Sequence, residues 1–445
     1  MIFKHQEPPI VLSVGGSLIV PNGQIDVAFL KKLNVFIREE VARGRRFFLV
    51  AGGGSIARTF RDAGKSVIGT MTEEDLDWLA IHVTRLNGHL LRTIFQDIAN
   101  PRVIETYDRK LRNWKEPVVI GAGWKPGWST DYDAVVLARD YGAHIIINLS
   151  NIDWVYDKDP RKFKDAKPIE KITWEEMEEL VGSKWTPGLN MPFDPIATKL
   201  AKKLRLTVMV VNGSNFENLK KIVDGDEFKG TVIMPYKIDA SFYDRAYYTG
   251  KKRGFKFRLT ETFLGRTLHS LGALYKAILI KVFINPRTCL DVGCGKGMLV
   301  HYLRILGIDA QGLELSPSAI DLAHKRVRNH ITVGNMLEIP FPDNHFDLVT
   351  SYDVLEHVER AKIKKAVEET VRVSRKLVLH KIFTRENGWI RTMHQRDFSR
   401  ISVFGYDFWK KIFNSLPGVS VLKSGFFVLP SFFETVFLLE KKPKS

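Results

Sequence analysis

The sequence predicts an α/β protein built as two successive units, and three observations carry that expectation. Apolar runs of strand length alternate with amphipathic helical runs twice over, from Ile10 to Ile233 and again from Thr288 to Glu440. Most of these runs are apolar throughout, as strands buried on both faces must be. A glycine cluster follows the opening strand of each series, the place where a doubly wound sheet turns bare main chain toward a ligand. A length of 445 residues fits two or three domains better than one core.

In the first series IVLSV, FFLVAG, PVVIGAG, HIIINL and TVMVVN are the expected strands, with a last one over Gly230–Met234. Helical spacing marks Ile56–Ala63, Leu76–Phe95, Asp133–Tyr141 and Pro195–Leu204 between them. The hairpin-like stretch Val155–Lys167, broken by Asp159-Pro160, reads as a loop excursion. Beyond Met234 the composition turns basic and aromatic, and no strand pattern returns before Thr288. The chain therefore divides into 1–235, a connector over 236–285, and 286–445. The second series runs through TCLDVG, DAQGLEL, HITVGN, FDLVTSY, KLVLHKI and ETVFLLE. Neither an internal repeat nor a low-complexity segment interrupts it.

Composition narrows the setting. The most apolar stretch, Leu271–Ile284, is broken by Lys276 and Lys281, too soon for a membrane span. The N-terminal residues lead into a strand rather than a signal-peptide core. Cys289 and Cys294 are the two cysteines, too few for a disulfide framework or a zinc site, so a reducing cytoplasm is expected and no protein-built metal site. The net charge of +17 is uneven, with 33 basic against 30 acidic residues in 1–233, 10 against 3 in 234–285 and 24 against 17 in 286–445. An excess of that kind favours solubility and attraction for phosphorylated small substrates. A nucleic-acid role would fall to Lys251, Lys252, Arg253, Lys256 and Arg258 with Phe255 and Phe257 among them.

Two glycine clusters, Gly15-Gly16-Ser17 and Gly52-Gly53-Gly54-Ser55, each follow an apolar strand, and the second opens a helix ending in Arg58. Turns of that type aim main-chain N–H groups and a helix N-terminus at phosphate oxygens. With GWKPGWSTDYDA after a third strand, three such turns face one way. This half resembles the amino-acid-kinase superfamily, and within it UMP kinases of archaeal type, through LSVGGSLIVP, VAGGGSIAR, DWLAIHVTRLN, GWKPGWSTD, SNIDWVYDKDP and FDPIATKLA. The resemblance implies a three-layer αβα fold, transfer of phosphate from ATP to UMP with Mg2+, and a homo-oligomer built through the helix Leu76–Phe95. It also places UMP on Gly53, Asp77 and the loop Trp124, Lys125, Pro126, Gly127, Trp128, Ser129 and Thr130. The ATP side falls to Gly15, Gly16, Ser17, Gly54, Arg58, Ser150, Tyr156 and Asp159.

Phosphoryl transfer needs alignment and charge neutralisation more than covalent help from the protein. Lys199 is the first candidate for neutralising the transferred group, its bland alternative being a solvated helix lysine beside Lys202 and Lys203. Asp131 and Asp194 fall where the family places acidic residues near that phosphate. Either could instead cap a helix, since Asp131 precedes helical spacing and Asp194 precedes Pro195. Many superfamily members carry lysine two residues before the first glycine pair; here it is Ser13.

In the second half Asp291 ends a strand, and Gly293, Gly295 and Gly297 follow at two-residue spacing. A dinucleotide fingerprint would require glycine where Met298 stands, so a single nucleoside-like cofactor is favoured. Glu314 ends the next strand, where a carboxylate can accept both ribose hydroxyls. Together with Asn335 after the third strand, this order resembles class I S-adenosylmethionine-dependent methyltransferases and implies a Rossmann-like fold. On that resemblance Asp291, the three glycines, Glu314, Asn335 and Met336 line the cofactor site, with Asn335 replacing the usual aspartate.

SYDVLEHVE follows the fourth strand, and His357, with Asp353 and Glu356, is the candidate base for an acceptor proton; DVLEHV is also read as the start of a helix. His394, Asp397 and Arg400 fall in a late insertion suited to an acceptor pocket, and FYDRAYYTGKKRGFKF carries tyrosines that could cover the cofactor. No Asn-Pro-Pro-Tyr-type segment follows the fourth strand, which speaks against nucleobase amino methylation. The leading expectation is a bifunctional enzyme phosphorylating UMP and methylating a small molecule. The alternatives are a kinase-like domain with another phosphate acceptor, a uridine-nucleotide sensor controlling the methyltransferase, and an RNA-modifying protein.

Overall fold

A computed structural model describes residues 9–160, 162–182, 191–224, 226–237, 241–249, 263–384, 402, 404–429 and 432–442. The chain forms two compact units, Met1–Lys237 and Ile238–Ser445. Among the described residues no helix is long and apolar enough to cross a membrane.

The first unit contains β1 (Ile10–Val14), β2 (Phe47–Ala51), β3 (Val118–Gly121), β4 (Ile145–Ser150), β5 (Val155–Tyr156), β6 (Pro168–Ile169), β7 (Lys171–Thr173), β8 (Thr207–Asn212) and β9 (Thr231–Met234). Its main sheet has the order β3-β2-β1-β4-β8-β9-β7, parallel except where β9 runs against β8. The strands are apolar throughout because alternate residues enter different cores. Val11, Phe48, Val50, Ile146 and Val208 pack with Trp174 and Phe193 on one face. Leu12, Val14, Leu49, Ile120 and Leu149 pack with Leu33 and Phe36 on the other. The stretch expected as a plain loop excursion closes into a ribbon, β5 antiparallel to β6.

Helices cover both faces. Gly54–Ile68 runs well past Arg58, and Glu73–Ile94, Thr130–Tyr141 and Pro195–Leu204 lie where helical spacing placed them. The helices Val27–Ala42, Trp174–Val181 and Phe216–Asp224 were not expected from sequence. Asp26 caps the first through the Phe29 N–H at 2.9 Å, and Thr173 with Glu176 forms a capping box on the second.

What positions the site is the contact between two glycine turns. A Cβ on Gly16 would lie 1.9 Å from the Gly54 nitrogen, and one on Gly54 would lie 2.3 Å from the Gly16 oxygen. Gly52 is as tight, its Cβ position 2.4 Å from the Gly16 nitrogen. The turns touch main chain to main chain, and Gly54 also has φ +71°.

The second unit holds β10 (Thr288–Val292), β11 (Asp309–Glu314), β12 (Ile331–Val333), β13 (Phe346–Tyr352), β14 (Ser374–Ile382), β15 (Val419–Leu429) and β16 (Phe432–Lys441). Their order is β12-β11-β10-β13-β14-β16-β15, with β16 antiparallel to both neighbours. β15 was not expected from sequence. Leu290, Val292 and Val349 face a core with Trp409 and Phe413, whereas Cys289 and Leu348 face Ala277, Val300 and Leu303. DVLEHV does not start a helix: Leu355–His357 is a single 3-10 turn, and the following helix is Arg360–Val373. Glu359, at ψ 137°, breaks the helical path between them.

Gly54→Ala should destabilise the first unit by more than about 2 kcal/mol, because main chain cannot yield as a flexible side chain can and φ is unfavourable as well. Thermal or urea unfolding of the full chain checks this, with Gly69→Ala, where a Cβ meets open space, as a control for positive φ alone.

Candidate functional sites

In the first unit the strand order reverses direction between β1 and β4, and the carboxyl ends of strands at such a reversal are where open α/β sheets bind ligands. Gly15 donates its N–H to the Leu149 carbonyl at 2.9 Å, and Gly52 donates to Val14 at 2.9 Å, so the turns are fixed to strand ends. Gly53 precedes the first turn of Gly54–Ile68. Ser150 closes β4 beside Gly15, Tyr156 lies half-buried on β5, and Asp159 heads the turn that accepts the Lys162 and Phe163 N–H groups. Arg58 is exposed on its helix.

The Trp124–Thr130 loop is anchored at both ends. Arg85 donates to the Gly123 and Trp124 carbonyls at 3.1 and 2.9 Å, and Gly123 donates to the Thr84 hydroxyl at 2.8 Å. At the tip, Asp77 accepts the Gly127 N–H at 2.7 Å. Burial raises the Asp77 carboxyl, while the Gly127 bond and the Arg61 charge oppose that rise. Arg61, one helical turn beyond Arg58, is thus the arginine acting on Asp77, and sequence reasoning missed it. The Lys125 ammonium lies 4.6 Å from the Trp124 ring centre and 4.4 Å from that of Trp128. The two indoles meet edge on at 4.6 Å.

Three carboxyls converge at the base of this loop. Asp131 does not cap its helix: Ser129 is the cap, accepting the Tyr132 N–H at 3.3 Å, and Asp131 lies in the first turn. Freed from capping, Asp131 accepts the Ser13 hydroxyl at 3.2 Å and the Asp194 N–H at 3.3 Å. Its carboxyl is pushed up to about 7 by burial first and by Asp194 second. Asp194 does cap Pro195–Leu204, accepting the Ile196 and Ala197 N–H groups, while its second oxygen is buried without a hydrogen bond. Burial raises its carboxyl too, with Ser129 opposing.

Asp133, not anticipated from sequence, is fully buried with neither oxygen in a hydrogen bond of good geometry. Burial pushes it well above the usual range, and Asp194 and Asp131 add to the rise. Lys199 lies on the exposed face of the capped helix, whereas Lys202 is held by Glu178 at 2.6 Å.

The second unit has its own reversal between β10 and β13. Gly293, Gly295 and Gly297 all take positive φ, at 71°, 55° and 72°. A side chain on Gly293 would strike Val354 and one on Gly297 would strike Ile331, whereas Gly295 faces open space up to Tyr248. Glu314 accepts the Gly295 N–H at 2.8 Å, so the carboxylate is aimed into the turn. Asp291 accepts the Thr350 hydroxyl at 2.9 Å, and burial pushes its carboxyl up to about 7 against the pull of Thr350 and Lys276.

Asn335 is exposed two residues beyond β12 and turns its side-chain oxygen to the Leu337 N–H at 3.0 Å; Met336 is buried in the core. Asp353, at φ +56°, is gripped by Lys381 at 2.7 and 2.6 Å. His357 is half-buried with its ring edge on to Tyr243 at 6.2 Å, and Glu356 is buried. The basic stretch 251–258 and His394, Asp397 and Arg400 lie outside the described residues.

Glycine turns at strand ends in one unit, and a glycine turn with its strand-end carboxylate in the other, are the candidate sites of a kinase and a methyltransferase. The profile of the Amino acid kinase family matches residues 8–212, and a Methyltransferase domain profile matches residues 290–377. Uridylate kinase of Sulfolobus acidocaldarius is 32% identical over 229 residues, which is 51% of this chain and 99% of that protein. Uridylate kinase of Methanothermobacter thermautotrophicus is 34% identical over 230 residues, again 51% and 99%. The crystal structure of uridylate kinase from Archaeoglobus fulgidus aligns at 30% identity and a TM-score of 0.43, covering 51% of this chain and 99% of that one. The chain belongs to the amino acid kinase family through its first unit and carries a methyltransferase domain in its second.

A carboxyl raised by folding keeps a proton that the unfolded chain releases, so its contribution to stability is full at low pH and is lost as pH rises from about 4 to about 7. Asp131→Asn, which removes the charge, should therefore raise the unfolding temperature relative to wild type at pH 8, and the gap should shrink as pH is lowered to 5. Paired thermal scans across that range check it.

Proposed function

We propose that the first unit transfers the γ-phosphoryl group of ATP to UMP and the second transfers a methyl group from S-adenosylmethionine to a small-molecule acceptor. The observation that carries the kinase reading is Asp77 holding the Gly127 N–H at 2.7 Å, which ties the tip of the Trp124–Thr130 loop to the helix Glu73–Ile94. The uridylate kinase relatives support the choice of UMP. Gly53, Asp77 and the loop residues then bind the acceptor nucleotide. The N–H groups of Gly16 and Gly54 hold phosphate oxygens, with Gly15, Ser17, Arg58, Ser150, Tyr156 and Asp159 on the donor side. A Cβ at Gly15, Gly16 or Gly54 would collide with main chain, so these turns are bare backbone, the kind of surface that binds phosphate oxygens.

Among the described residues no group of three acidic, histidine or cysteine side chains is arranged to hold a metal ion. Magnesium would therefore come with the nucleotide phosphates, the way this ion is commonly held, and neutralise charge there. Lys199 supplies an ammonium to the transferred group, and Asp131 and Asp194 orient it.

In the second unit the fit to a nucleoside cofactor rests on the open face of Gly295 and the carboxylate of Glu314 behind it. Bound adenosylmethionine would supply the methyl group on a sulfonium. Gly293, Gly295 and Gly297 shape the turn for it, Asp291 and Glu314 set its polar side, and Asn335 and Met336 flank the base. Methyl transfer asks of the protein mainly alignment and a proton acceptor, and His357 is placed to be that acceptor. The two free cysteines, Cys289 and Cys294, support a cytoplasmic setting. Exposed Trp78 and Leu86 on Glu73–Ile94 support a homo-oligomer contact on that helix.

A sensor reading of the first unit draws on one observation, that Asp131 meets the Ser13 hydroxyl rather than an ammonium group. It predicts UMP binding without ADP release and a UMP-dependent change in methyl transfer.

With ATP, magnesium and each nucleoside monophosphate in turn, the purified chain should release ADP fastest with UMP; no release with UMP rejects the assignment. Lys199→Met should lower kcat by roughly a hundredfold or more while KM changes little, because the interaction belongs to the transition state. For the second unit, cofactor turnover should be insensitive to added RNA and only weakly dependent on salt. Collapse with RNA competitor, or a steep rise at low salt, rejects the small-molecule acceptor.

A further inference from the structure

Glu314 is 5% exposed and already heavily engaged. Its Oε2 accepts the Gly295 N–H at 2.8 Å, and its Oε1 accepts the Ser316 N–H and the Tyr248 hydroxyl, each at 3.0 Å. An ionised carboxylate offers about four lone-pair sites. Three are taken. A ribose presents two adjacent hydroxyl donors, so a full grip on the diol needs two sites where one is left.

Two of the three donors cannot leave. The Gly295 N–H belongs to the glycine turn, and the Ser316 N–H to the residue that caps Pro317–Asp321. Tyr248 alone brings its donor on a rotatable side chain. Its ring also lies 3.8 Å from the Cβ position of Gly295, across the open side of the turn. The geometry points to Tyr248 as an occupant of the ribose subsite, its phenol standing where a cofactor hydroxyl binds and being displaced when the nucleoside enters. This rests on reading the second unit as an adenosylmethionine-binding methyltransferase.

The segment around it is built for that exchange. Ser316 Oγ donates to the Tyr243 carbonyl, and Asp244 caps the short turn Arg245–Tyr248 through the Tyr247 N–H at 3.0 Å. Phe242, Tyr243 and Tyr247 pack edge to face at 4.9 to 5.5 Å between ring centres. The strap thus stays anchored through Tyr243 and Tyr247 while the Tyr248 side chain turns away. Burial and the Glu314 charge both raise the phenol pKa, so the phenol stays protonated and remains a donor to Glu314. Each binding event must first give up the Tyr248–Glu314 hydrogen bond, and Tyr248 thereby holds cofactor affinity down.

Calorimetric titration of the full chain with S-adenosylhomocysteine tests this. Tyr248→Phe should bind roughly three- to tenfold more tightly than wild type, the scale of one hydrogen bond no longer broken. Glu314→Gln should bind at least about tenfold more weakly, and adding Tyr248→Phe to it should bring no further gain, since the two act on one another. In wild-type sequence carrying 3-fluorotyrosine at position 248, the fluorine resonance should shift toward its free-solvent value on saturation, a readout that needs no variant to fold. Unchanged or weaker binding by Tyr248→Phe, or an unmoved resonance at saturation, overturns the proposal while leaving the methyltransferase reading intact. Absence of binding to wild type and Tyr248→Phe alike overturns that reading and the proposal with it.

Discussion

The close approach of Gly16 to Gly54 is the constraint on which the first unit depends. Two strand–turn–helix elements that begin on the neighbouring strands β1 and β2 meet there through main chain alone, and any side chain would drive them apart. The contact fixes where the helix Gly54–Ile68 begins and hence where its N-terminal N–H groups point. A turn made of main chain has no rotamers to lose on binding, so its geometry is set before any ligand arrives. The second unit solves a related problem differently: Gly293 and Gly297 are pressed against Val354 and Ile331, which leaves Gly295 facing the open side of the turn.

Against that rigid frame stand carboxyl groups in surroundings that oppose their charge. Asp131, Asp133 and Asp194 are raised by burial and by each other, and Asp291 is raised in the second unit. Apolar residues would pack such places more favourably, so their retention marks positions where folding stability has yielded to another requirement. The hydrogen bonds that remain, from Ser13 and the Asp194 N–H to Asp131, orient the group without neutralising it. A carboxyl held in that condition responds strongly to an approaching cation or phosphate-bound magnesium.

The strands of both sheets were legible because burial on two faces makes a run apolar from end to end, as in IIINL or FFLVA. β7 and β15 were not: the first has three residues at a sheet edge, and the second is interrupted by Lys423 and Ser424. The helix Trp174–Val181 did carry a signal in Thr173 and Glu176, a capping-box spacing that apolar periodicity ignores. The glycine turns, Asp77 and Glu314 could be placed because their roles are local to a strand end. Asp133 could not, since its burial depends on packing against distant elements, and neither could Ser129 displacing Asp131 as the cap. Tyr248 lies 66 positions from Glu314, and only the folded chain brings its hydroxyl to that carboxylate.

The last strand bears on how the chain comes to be folded at all. Each seven-stranded sheet is complete within its own unit, so the first can close while the second is still being synthesised. In the second sheet β16 sits between β14 and β15, which means that β15 has no neighbour, and β14 presents an unpaired edge, until residues 432–441 have emerged. A ribosome stalled short of that point leaves an exposed template for pairing with another nascent chain. The methyltransferase half is thus the aggregation-prone stage of biosynthesis, although its finished sheet buries that edge completely.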